Sequence, residues 1–82
     1  MRVSADPRSP DHPSRLLIAP QRLSVLLDGV PQERVTVADE ERGYVVVILN
    51  DAAGRPLTVD GEFATQLRFG RVQILVAAER LQ

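Results

Sequence analysis

The sequence predicts an all-β fold: a small antiparallel meander of about five strands, curled into a barrel or sandwich. Three observations carry that prediction. Between Gly43 and Asn50 stand six consecutive apolar residues, Tyr44 to Leu49, four of them β-branched, which favours an extended backbone covered on both faces. From Gln21 onward, apolar or alternating runs are separated by clusters of Gly, Pro, Asn and Asp, the punctuation of strands. Two of those clusters contain Asp-Gly, at Asp28-Gly29 and Asp60-Gly61, and Asp-Gly suits the paired positive φ angles of a type I′ hairpin turn.

The scale follows from length. A chain of 82 residues holds one domain, and a domain this small buries only about 60% of the surface its unfolded form exposes. Cysteine is absent, so neither disulfides nor thiolate-bound metal can act as staples, and packing or a second copy must make up the deficit. A homo-oligomer is the expectation.

Taken in order, residues 1–20 read as a disordered or irregular arm, residues 21–78 as a single β domain, and residues 79–82 as a frayed terminus. The arm carries Pro7, Pro10 and Pro13 among Asp, Ser and Arg, with no apolar stripe to bury. Leu16 to Ala19 is a short apolar stretch stopped by Pro20. Arg22 to Leu27 reads as a strand ended by the Asp28-Gly29 turn, and Pro31, unable to donate to a ladder, belongs at a sheet edge. Glu33 to Ala38 alternates, placing Val35 and Val37 on one face. Asp39 to Gly43 then closes a hairpin in which the strand through Val37 meets the strand through Val46 antiparallel, with Gly43 in the left-handed conformation.

Asn50 to Pro56 is dense in turn formers. The strands 62–68 and 71–76 are expected to form a hairpin across Phe69-Gly70, with Phe63, Thr65, Leu67, Val72, Ile74 and Val76 on the inner side. The three aromatics, Tyr44, Phe63 and Phe69, are assigned to the core.

The chemistry-bearing residues are sparse. His12 is the single histidine and lies in the arm, where nothing orients it as a base or joins it to a second metal ligand. Without another His or any Lys, the Ser and Thr hydroxyls lack a partner base. Asp39-Glu40-Glu41 lacks the alternating ligands and terminal Glu of a calcium loop and reads as a solvated hairpin tip. The reading therefore assigns no catalytic, cofactor-binding or metal site and predicts a protein that is not an enzyme. It leaves no cleft in which a reaction could be run.

Ten arginines against eleven acidic residues give a formal net charge of −1, which disfavours the broad positive surface of nucleic-acid binding. Arg55, Arg68 and Arg71 are the one candidate anion or nucleic-acid patch, at one end of the sheet. The candidate interaction surface is the opposite face of the central strand. If Val45, Val47 and Leu49 face the core, then Tyr44, Val46 and Ile48 need a second cover, either a curled sheet or another protein surface. No apolar run approaches the ~20 residues of a membrane helix, and no secretory leader is apparent. A soluble, cytoplasmic protein without membrane contact is expected.

Asp28-Gly29-Val30-Pro31, Val37-Ala38-Asp39-Glu40-Glu41, Gly43-Tyr44-Val45-Val46-Val47, Gly54-Arg55-Pro56 and Phe69-Gly70-Arg71-Val72-Gln73-Ile74 together resemble small uncharacterised proteins of tailed bacteriophages and prophages. The resemblance spans about Val25 to Val76. It implies a phage or prophage context, within the cytoplasm or a phage particle, and a part in assembly or host interaction. The expected function is a non-enzymatic protein–protein interaction or assembly module binding itself or another protein. The alternative is a small nucleic-acid-binding β-barrel using the arginine patch.

Overall fold

Five strands of five residues carry the fold in the computed structural model, which describes residues 1–13 and 22–77. They are β2 (Leu23–Leu27), β4 (Val35–Asp39), β5 (Tyr44–Ile48), β8 (Thr65–Phe69) and β9 (Val72–Val76). Shorter strands fill in the order: β1 (Arg2–Ser4), β3 (Val30–Gln32), β6 (Thr58–Val59) and β7 (Glu62–Phe63). The all-β prediction holds, with every pairing antiparallel. The expectations for Leu16 to Ala19 and for residues 79–82 lie outside the described residues.

The strands form a four-stranded sheet in the order β1-β4-β5-β8, a three-stranded sheet in the order β3-β2-β9, and the separate hairpin β6-β7. The two larger sheets face one another as a sandwich and do not close into a barrel. Val3, Ala38, Val45 and Val47 from the first meet Val25, Val72 and Ile74 from the second, with Leu23, Leu27 and Val35 packed around them. Val45, fully buried, is the largest side chain so enclosed. Among the described residues the hydrophobic core is thus entirely aliphatic.

The turns behave as their residues dictate. Asp28 and Gly29 both have positive φ, as do Asp60 and Gly61, and each pair joins strands in direct register, Leu27 with Val30 and Val59 with Glu62. Gly43 has φ +69° and closes the hairpin in which Val37 pairs with Val46. β3 is an edge strand, and Pro31 pairs with Leu26 between two hydrogen-bonded positions, so its nitrogen points away from the ladder.

Several expectations are corrected. The arm is not wholly irregular: Arg2–Ser4 is a strand paired with Val37 to Asp39, and Val3 and Ser4 are buried. Val35 and Val37 do not share a face, because a bulge between them shifts the register; Val35 pairs with Val47 and Val37 with Val46. The extra residue, Thr36, reverses the alternation and turns Ala38 into the core.

The hairpin across Phe69-Gly70 does not form. β8 pairs with β5, β9 pairs with β2, and the chain crosses between sheets at Gly70. Two capture points explain the crossing. The Gly70 N–H donates to the Gly43 carbonyl at 3.0 Å, carrying the β5 ladder to its last rung. One residue later, Asp28 takes the chain: its N–H donates to the Arg71 carbonyl at 2.9 Å and its Oδ1 accepts from the Arg71 N–H at 2.8 Å. A Cβ on Gly70 would stand 2.6 Å from Asp28 Oδ2, so a side chain there would displace the carboxylate that holds Arg71.

Candidate interaction surface

Register decides what lies on the outer face of the four-stranded sheet. Tyr44 pairs with Asp39 and Phe69, Val46 with Val37 and Leu67, and Ile48 with Thr65. Tyr44, Val46 and Ile48 therefore do share the face opposite the core, where they are half-buried. Val37, Leu67 and Phe69 join them.

No second layer covers this face among the described residues. Leu67 and Phe69 are 52% and 70% exposed, and Phe63 is 58% exposed. The aromatic residues assigned to the core are thus outside it, and Phe63, Leu67 and Val76 are exposed rather than inward. Pairing β8 with β5 instead of β9 is the physical reason for Leu67 and Phe69. The bonding of β5 puts Val45 and Val47 inward, and their cross-strand partners Arg68 and Gln66 follow, leaving Leu67 and Phe69 outward.

The β1 side of the same face is polar and closed. Ser4 and Asp39 are buried there. The Ser4 N–H, which points away from β4, donates to the Asp11 carbonyl at 3.1 Å, and the Arg2 guanidinium meets Asp11 Oδ2 at 2.7 Å. Asp39 Oδ1 accepts from the Arg42 N–H at 2.9 Å, and its Oδ2 lies 3.6 Å from Arg2 Nε. The Tyr44 side chain, and then Asp11, raise the Arg2 pKa further above its ordinary value.

Glu40 fastens the two sheets together. Its Oε2 accepts from the Ile74 N–H at 3.0 Å, on the open side of β9, and its Oε1 lies 3.1 Å from the Met1 amino group. The Ile74 N–H, followed by the Met1 ammonium, holds the Glu40 carboxyl below the usual glutamate range. The acidic hairpin tip is therefore in part a structural clamp.

The three patch arginines are not gathered. Arg68 bridges the sheets, donating to Gln32 Oε1 and Gln66 Oε1, both at 2.7 Å. Arg71 follows the Tyr44 end of β5, whereas Arg55 sits in the loop beyond Ile48, its N–H bound to Asp51 Oδ1 at 3.0 Å. A strand's length separates those ends.

His12 lies in a turn segment tied to β1, not in a disordered arm, and its N–H donates to the Ser9 carbonyl at 3.1 Å. It lines a cleft of about 480 Å³ with Val3, Pro13, Leu23, Val25 and Val35 among others. Much of the named lining is aliphatic. Among the described residues no three His, Asp or Glu side chains gather as a metal site, and no helix is long and apolar enough to cross a membrane. No protein-family model, curated protein or solved structure matches the chain.

Proposed function

We propose that the chain is a non-enzymatic assembly module that associates with itself by burying the outer face of its four-stranded sheet. The observation carrying this reading is the placement of the large apolar side chains: among the described residues the core holds only aliphatic side chains, while Leu67 and Phe69 stand exposed beside Tyr44, Val46 and Ile48. A small domain that leaves such residues in water gains from covering them, at roughly 25 cal/mol for each Å² of apolar surface removed. One histidine, no cysteine and no lysine leave the chain poor in the groups that nucleophilic and acid–base chemistry use. The setting taken from the sequence resemblance is assembly within a phage or prophage context.

Sedimentation equilibrium over a wide concentration range tests the reading. The native chain should show a reversible monomer–oligomer equilibrium, and Val46→Lys should shift it to monomer while preserving the β circular-dichroism spectrum. A native chain that stays monomeric at every concentration overturns the proposal.

A further inference from the structure

The two larger sheets have four outer edges, and three are blunted. At β1, Asp11 takes the outward Ser4 N–H. At β9, Glu40 takes the outward Ile74 N–H. At β3, Pro31 has no N–H to offer. Among the described residues the β8 edge has no such device.

The ladder shows which groups of β8 are open. The bonds from Leu49 N–H to the Ala64 carbonyl and from Gly70 N–H to the Gly43 carbonyl bracket it, so the hydrogen-bonded pairs between them are Val47 with Gln66 and Val45 with Arg68. The N–H and C=O of Thr65, Leu67 and Phe69 therefore point away from β5. β8 ends its sheet, and no further strand takes them up among the described residues.

We infer that the β8 edge pairs antiparallel with β8 of a second copy, with Leu67 on the two-fold axis, joining two four-stranded sheets into one continuous sheet. This rests on the self-association proposed above and adds an edge contact to it: the pairing itself leaves the outer face uncovered and widens the surface that the face contact buries. In that register Leu67 meets Leu67 of the second copy and Thr65 meets Phe69 of the second copy. All three outward pairs exchange two hydrogen bonds each. The two outer faces merge on one side, so Leu67 and Phe69 extend a single apolar surface across the junction.

Charge selects this register over its neighbours. Centring on Arg68 sets like charges directly opposite at the closely spaced site, which is destabilising. Centring on Gln66 leaves Phe69 without a β8 partner. Centring on Leu67 places each Arg68 opposite Gln66 of the other copy, the residue type it already bonds within its own chain.

The chain contains no cysteine, so single-cysteine variants read the register directly. Across the axis, Leu67→Cys puts two Cα atoms about 5.5 Å apart, within disulfide range. Thr65→Cys puts its two Cα atoms roughly 13 Å apart, four residues out of register. In a glutathione buffer Leu67→Cys should cross-link at least tenfold faster than Thr65→Cys. In sedimentation at low salt, Gln66→Glu should tighten the dimer and Gln66→Arg weaken it, each by about tenfold. A native dimer in which the two cysteine variants cross-link equally, or the two Gln66 variants act alike, overturns this register and leaves self-association standing. A native chain that never dimerises overturns both.

Discussion

The two edges of the four-stranded sheet belong to one surface and have opposite characters. At the β1 edge, the outward Ser4 N–H is bound, Asp39 is 5% exposed, and Arg2, Asp11 and Asp39 form a charged seam. At the β8 edge, three rungs point outward and the flanking side chains are Leu67 and Phe69. Native sheets ordinarily protect an edge against pairing with another chain. Protection at one edge and not the other is the ground of the proposed pairing at β8, and variants that stress each edge separately should respond differently.

The largest effect is expected where β8 is anchored. Gly43 has φ +69°, and a Cβ there would lie 2.9 Å from the Gly70 backbone carbonyl, which cannot swing aside as a side chain can. Gly43→Ala should cost roughly 3 kcal/mol, combining left-handed strain with loss of the last β5–β8 rung. Thermal unfolding followed by circular dichroism measures it.

At the closed edge, Asp39→Ala removes the acceptor for the Arg42 N–H and the partner of Arg2, and should cost about 2 kcal/mol. Asp39→Asn keeps an acceptor oxygen and should recover more than half of the loss. Equal losses in the two variants would mean that charge, not the hydrogen bond, holds the hairpin.

Glu40 makes the closed side sensitive to acid. Its folded pKa lies below the ordinary value of 4.5, so its stabilisation is complete above about pH 4.5 and is lost as the pH falls through the folded pKa. Glu40→Gln should cost roughly 1 kcal/mol at neutral pH, moderated because the side chain is partly exposed. The gap from the native chain should narrow as the pH falls below 4.5. A gap that stays constant as the pH falls removes the clamp from the account.

The smallest effect on the isolated fold is expected at the open edge. Phe69→Ser should change monomer stability by about 0.5 kcal/mol or less, measured by urea unfolding at low concentration, because the side chain is mostly in water. The same change should weaken association at high concentration. Stability and assembly thus separate at β8, whereas changes at β1 bear on the fold itself.

Much of the local structure was legible before any coordinates. Asp28-Gly29, Asp60-Gly61 and Gly43 announced their turns, since positive φ is a property of a residue and its immediate neighbours. The surface residues Tyr44, Val46 and Ile48 followed from strand alternation. Val37, Leu67 and Phe69 were missed, because each lies past a decision that alternation cannot make. Nothing local marks Thr36 as a bulge, and the alternation in 65–69 fits β9 as well as β5. Arg34 was also missed; its φ of +54° turns the chain between sheets, although arginine gives no local sign of it.

The sequence by itself determined the strand-forming segments, the turns between them and the alternation along each strand, because these depend on backbone sterics and a two-residue period. The tertiary structure alone decided which strands lie beside one another beyond those that a tight turn joins. That choice rests on contacts between distant residues: Asp28 capturing Arg71, Glu40 capturing Ile74, and Gly43 meeting Gly70. Alternation sorts the side chains of a strand into two faces, and only a neighbouring strand determines which of those faces meets the core.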